Sequence, residues 1–147
     1  MALKERITQD TKAAMKARDK QRLGTLRLLG AAIKQKEVDD RVDLTDADIT
    51  AIIGKMIKQR KDSAEQYRQA GRDELAAQEE YEISVLQDYL PEPLSEAELD
   101  AVIQATIHET GATGMADMGA VMGALRPKIA GRADMAVASA KIRALLG

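Results

Sequence analysis

The side chains in this sequence that could do chemistry are few in kind. Histidine occurs once, at His108, and cysteine is absent, so thiolate nucleophiles, thiolate metal sites and disulfides are excluded together. His108 alone makes a general base only with a nucleophile and an orienting partner, and no serine stands out for that role. There is no P-loop and no strand-borne GxGxxG, so nothing marks a nucleotide cradle. Carboxylates are dense from Asp73 to Asp100, where ten acids meet no base. They scatter around the helix they would occupy, which describes a solvated face better than a metal centre. No catalytic residue, cofactor or metal is therefore expected.

What remains is cationic chemistry. The formal net charge is −2, yet residues 1–36 hold ten Lys/Arg against three acids, and residues 101–147 hold five against three. A weakly acidic total is thus compatible with local anion-binding surfaces. Lys20, Arg27 and Lys34 recur every seven residues and read as a solvated helix face. Arg126, Lys128, Arg132, Lys141 and Arg143 instead surround unusual backbone chemistry in "GAVMGALRPKIAGRAD", Gly119 to Asp134. Gly119 and Gly123 leave a patch of helix without side chains, which either a neighbouring helix or an RNA backbone could approach closely. Pro127 cannot donate to the carbonyl of Gly123, so a kink or stop is expected there. Gly131 permits a tight turn, and Asp134 is placed to cap the last helix. Lys and Arg around such a break suit the phosphates of a folded RNA. Reading of single strands is disfavoured, because three tyrosines without Phe or Trp form no stacking platform. The "GATG" of Gly111–Gly114 matches a KH loop, but that fold needs strands.

The elements that must position these residues are all helical. An apolar face at Leu3, Ile7 and Ala14 predicts a first helix over about 3–17. Asp19 caps a second with Leu23, Leu26, Gly30 and Ile33 on one side, and "VDDRVDL" reads as a loop. Thr45 and Asp48 form a capping box before the stripe of Ile49, Ile52, Ile53, Met56, Ile57, Ala64 and Tyr67. Gly71 is a stop and Asp73 a cap for a fourth helix carrying Leu75, Ile83, Leu86 and Leu90. "LPEPLS" interrupts the chain, and Ser95 with Glu98 makes a second capping box, with Leu94 and Leu99 as its staple. A fifth helix buries Leu99, Val102, Ile103 and Ile107. A sixth runs from about Met115 toward Pro127 with Met115, Met118, Met122 and Leu125 as its core stripe, and a seventh spans 134–146. The expected architecture is all-α: a four-helix amino-terminal domain over 1–90, a Pro-containing linker over 91–94 and a three-helix bundle over 95–147. No apolar run reaches the roughly 20 residues of a membrane span, so no membrane partner is expected. The start is basic and amphipathic, but Glu5, Asp10 and Asp19 argue against a transit peptide, so a cytoplasmic protein is expected.

"DMGAVMGALRPKIAGRADMAVASAKIRALL" resembles the carboxy-terminal signature of the GatB/YqeY family, and "YEISVLQDYLPEPLSEAEL" continues the likeness backwards. The resemblance covers essentially the whole chain, as a stand-alone YqeY-like protein. Gly119, Gly123, Pro127, Lys128, Gly131, Arg132 and Asp134 match the family's motif positions, while Met135 stands where the pattern has glycine. The resemblance implies a small bundle similar to the tail of the B subunit of the glutamyl/aspartyl-tRNA amidotransferase, a tRNA-contacting module with catalysis elsewhere. It thus implies tRNA as partner, contacted by Arg126, Lys128, Arg132, Lys141 and Arg143 beside Gly119, Gly123 and Gly131, with no DNA expected. Two alternatives stand beside it. One is a protein-interaction module that docks a synthetase or amidotransferase subunit through the acidic 73–100 block. The other is carbon–nitrogen ligase activity with glutamine as amido donor, for which no catalytic constellation is visible.

Overall fold

The computed structural model describes residues 2–147, and every regular element among them is helical. The helices are α1 (Leu3–Lys16), α2 (Lys20–Asp40), α3 (Asp46–Gln69), α4 (Asp73–Gln87), α5 (Glu96–Thr110), α6 (Met118–Ile129) and α7 (Met135–Leu146), with a 3₁₀ turn at Met115–Asp117. They divide into two compact units, Met1–Leu90 and Pro91–Gly147.

In the first unit the apolar faces of α1 to α4 converge. Ile7, Leu26, Leu29, Ile33, Ile49, Ile53, Val85, Leu86 and Tyr89 form one buried cluster. Local chemistry fixes where each helix starts. Asp19 accepts from the Arg22 N–H, and Thr45 and Asp48 close a reciprocal capping box. Two boundaries differ from the sequence reading. Helix α2 continues through Val38, Asp39 and Asp40 and ends at Arg41, which adopts a left-handed φ of 55°. Asp73 is the first residue of α4 and not its cap, which is Arg72 without a side-chain hydrogen bond. Leu75 is exposed, and Ala76 takes the buried position beside it. Gly71 ends the α3–α4 turn at φ 73°, a conformation that favours glycine.

The acidic α4 is knitted into this unit by ion pairs. Arg68 donates to Glu80 from Nε and Nη2 at 2.7–2.9 Å, and Arg60 lies 3.4 Å from Glu82. Tyr89, two residues before Pro91, is buried and donates to Asp10 at 2.5 Å, while Arg6 stacks over its ring. Burial, followed by the Asp10 hydrogen bond, holds the Tyr89 phenol far above its ordinary pKa.

The second unit is a three-helix bundle around Leu99, Ile103, Val121, Leu125, Ile129, Ala138 and Ile142. Its α5 begins at a complete Ser95–Glu98 capping box, and Leu94 packs on the same cluster as Leu99. The expected methionine stripe is displaced. Met115 is exposed in the 3₁₀ turn, Met118 and Met122 sit at the edge, and Val121, Leu125 and Ile129 are fully buried. Met115 falls outside α6, in a turn where Asp117 accepts the Thr113 N–H, and within α6 the buried line is i, i+4, i+8 through Val121, Leu125 and Ile129.

Candidate functional site

The glycine–proline segment occupies α6 and the turn after it. Pro127 lies inside the helix, which neither stops nor turns there but runs on to Ile129. A proline in the last turn removes one backbone bond near the end of a helix, and the Gly123 carbonyl that loses its donor sits on an exposed face. Gly131 then makes the turn at φ 72°, and Asp134 accepts from the Ala136 N–H to start α7.

Gly119 and Gly123 are exposed, and a Cβ built at either would meet nothing within 4 Å. No neighbouring helix therefore requires their small size. Ala116, Ala120, Pro127 and Ala130 are also exposed on this side of α6, so the face is low and almost featureless. Arg126 follows Gly119 by seven residues, close to two full turns, and stands on the same face.

The five basic residues fall into three kinds of environment. Lys128 donates to Thr106 at 3.1 Å and to Glu109 at 2.7 Å, fastening α6 to α5. Lys141 donates to Asp100 at 2.8 Å and to Glu96 at 3.2 Å, fastening α7 to the first turn of α5. Its ammonium pKa is raised by these hydrogen bonds, Asp100 first and Glu96 second. Arg132 donates from Nε to the Glu92 carbonyl at 2.9 Å, and its own carbonyl accepts the Leu94 N–H at 2.9 Å. Arg126 and Arg143 are exposed, and neither pairs with a carboxylate among the described residues.

One helical rule separates the two lysines from the two arginines. Arg126 and Lys128 are two residues apart, as are Lys141 and Arg143, which is about 200° around a helix. Since both lysines reach α5, both arginines stand on the side of their helices away from it. The structure thus brings Arg126 together with Gly119 and Gly123, and leaves Arg143 of α7 without an acidic partner among the described residues. Lys128, Lys141 and Arg132 are engaged within the unit. The pairing of Lys128 with Glu109 spans 19 residues and that of Lys141 with Glu96 spans 45. A difference of that kind is set by packing register and has no local signal.

His108 lies at the exposed C-terminal turn of α5, beside a cleft of ≈ 530 Å³ shared with Gln104, Thr113, Leu145 and Leu146. Among the described residues no three His, Asp or Glu side chains are grouped so as to hold a metal ion. A basic residue that the sequence reading left aside is Arg41. It follows Lys20, Arg27 and Lys34 at the same seven-residue interval, and reading a loop from Val38 onward concealed it.

The profile of the YqeY-like protein family matches residues 4–146. Several fungal relatives carry the name "Altered inheritance of mitochondria protein 41, mitochondrial". That of Pyrenophora tritici-repentis is 32% identical over 145 residues, covering 97% of this chain and 80% of the relative. That of Lachancea thermotolerans is 39% identical over 106 residues, covering 70% and 57%. That of Eremothecium gossypii is 36% identical over 110 residues, covering 73% and 60%. The chain therefore spans well over half, but less than two thirds, of the second and third relatives. These names overturn the expectation of a cytoplasmic protein, since each places its protein in mitochondria. That expectation leaned on three acids near the start, a feature that does not distinguish the two compartments.

Proposed function

The chain belongs to the YqeY-like family, and from that premise we propose that it is a non-catalytic tRNA-binding accessory protein whose contact lies in Pro91–Gly147. The observation that carries this reading is the open face of α6. Two exposed glycines, at which an added Cβ would meet nothing within 4 Å, share it with an arginine that has no acidic partner among the described residues. Without side chains, a phosphate or ribose comes within hydrogen-bonding distance of the helix backbone, and Arg126 supplies charge beside it. Arg143 adds a second exposed base, while Lys128, Lys141 and Arg132 hold the three helices and the Glu92–Leu94 segment in register.

Total tRNA titrated at several salt concentrations tests this reading. Affinity should fall linearly on log–log axes, and Arg126→Gln with Arg143→Gln should reduce the slope by about 1.4–1.8. Lys128→Gln should lower stability more than it changes the slope. No tRNA binding at low salt, or an unchanged slope in the double variant, would sink it. The acidic block of α4 favours a basic protein partner less, because Glu80 and Glu82 already face Arg68 and Arg60.

A further inference from the structure

Another concentration of unpaired positive charge is the outer face of α2. Residues 20–36 contain five bases and no acid. Lys20, Arg27 and Lys34 are exposed on one line, and Arg41 stands one interval further on. At 1.5 Å per residue Lys20 to Lys34 form a ridge about 21 Å long, and Arg41 caps its end. None of the four is ion-paired among the described residues, whereas their neighbours Arg22 and Lys36 face Asp88 and Asp40. Arg18 and Arg41 bracket the helix and are the only described non-glycine residues at positive φ, 57° and 55°. Such a conformation is sterically unfavourable for arginine, and at a helix C-cap glycine is the usual occupant.

The acids around the ridge are largely engaged. Asp19 caps the helix, Glu37 is bound by Lys4 at 2.8 Å, and Asp39 accepts from Gln35 at 2.8 Å. Asp40 pairs with Lys36, and Asp43 lines a shallow cleft of ≈ 390 Å³ with Lys34 and Arg41. Exposed aliphatic side chains lie along and just beyond α2: Leu28, Val38 and Val42 are 48%, 63% and 53% exposed. Val38 lies eleven residues after Arg27, three helical turns, and so stands on the ridge itself. The core face of α2, with Leu26, Leu29 and Ile33, is already buried, so only this outer face is available.

We propose that the outer face of α2 docks the protein on an anionic lipid surface. The charge is complementary, and a straight ridge meets a flat surface along its whole length. The aliphatic residues distinguish this partner from nucleic acid. A phosphate backbone gains nothing from Leu28, Val38 and Val42, whereas the headgroup boundary of an anionic bilayer takes up both bases and aliphatic side chains. No described helix is long and apolar enough to cross a membrane, and peripheral attachment requires none. The sequence expectation of no membrane partner rested only on the lack of such a span.

The test is sedimentation of the full chain with vesicles of phosphatidylcholine alone, or of equal parts phosphatidylcholine and phosphatidylserine. Binding to the anionic vesicles only, weakening with salt, is expected. At about fivefold per base, K20Q/R27Q/K34Q should lower partitioning about a hundredfold. Leu28→Ser with Val38→Ser should lower it several-fold at unchanged charge. All five positions are exposed or half exposed, and circular dichroism should show the variants equally helical. Failure of the parent to sediment with anionic vesicles, equal binding to both vesicle types, or a triple variant that binds like the parent would each overturn the proposal. So would a parent that ignores vesicles but loses tRNA affinity in the triple variant, since the ridge would then be an RNA surface. The tRNA reading is judged separately, on Arg126 and Arg143.

Discussion

Replacing Gly119 and Gly123 together by alanine separates room left for a partner from room left for a helix. Gly123 is interior to α6, where alanine is favoured by about 0.8–1 kcal/mol. Gly119 is its second residue, where the gain is smaller, so the pair should contribute roughly 1–1.5 kcal/mol. Neither has a positive φ, and neither added methyl meets another atom within 4 Å, so no steric penalty offsets the gain. For a unit the size of Pro91–Gly147, at about 4–8 °C per kcal/mol, the transition should rise by about 5–10 °C. Scanning calorimetry of the full chain measures it. If tRNA approaches the α6 backbone here, the same methyls hold it off, and losing one contact of about 1.4 kcal/mol weakens binding tenfold. The expected signature is thus a more stable protein that binds tRNA less well. A fall in stability would refute the account of α6 packing. A rise with unchanged tRNA affinity would refute the role given to the glycines.

Other expectations concern the supports of the two units. Tyr89→Phe leaves Asp10 without its donor and should cost about 1.5–3 kcal/mol in urea unfolding. In an alkaline absorbance titration Tyr89 should ionise well above the ordinary tyrosine range, because burial and the Asp10 hydrogen bond raise its folded pKa. Ser95→Ala and Thr45→Ala should each cost about 1 kcal/mol by chemical denaturation. The backbone N–H groups of Thr45 and Ser95 hold Asp48 and Glu98 below their ordinary values of 3.8 and 4.5. The stability these acids contribute is therefore present above those values and lost as pH falls through the lowered folded pKa. For Lys141 the sign reverses. Its raised pKa makes the contribution complete below 10.5 and lost only as pH climbs through the folded value, so Lys141→Met should flatten alkaline unfolding.

Much of the fold was legible because its signals are local. Thr45 with Asp48 and Ser95 with Glu98 announce helix starts within four residues, and both boxes form with both hydrogen bonds present. Long periodic stripes, such as Ile49 to Ile57, similarly identify a buried face. Where one strong residue was weighed against its surroundings, the sequence misled. Pro127 reads as a kink or stop, yet the helix runs on to Ile129, and in the final turn the proline removes only one hydrogen bond, from an exposed carbonyl that water can serve. "VDDRVDL" reads as a loop, yet α2 carries on to Asp40 with Lys36 paired to it one turn earlier. In the candidate site the residue types were visible, but their division was not. Whether a base is free or fastened to α5 depends on the register of three packed helices.

The proline in α6 has one further effect on the chemistry of its exposed face. With no N–H from Pro127, the Gly123 carbonyl keeps a lone pair that an ordinary helix would occupy. It stands on the bare side of the helix, one turn from Arg126. On the tRNA reading, a hydroxyl donor is the natural complement to such an acceptor, and the ribose 2′-hydroxyl is the one that DNA lacks. The smooth helix face would then discriminate between sugars through its main chain, a preference that no side-chain substitution at the basic positions would erase.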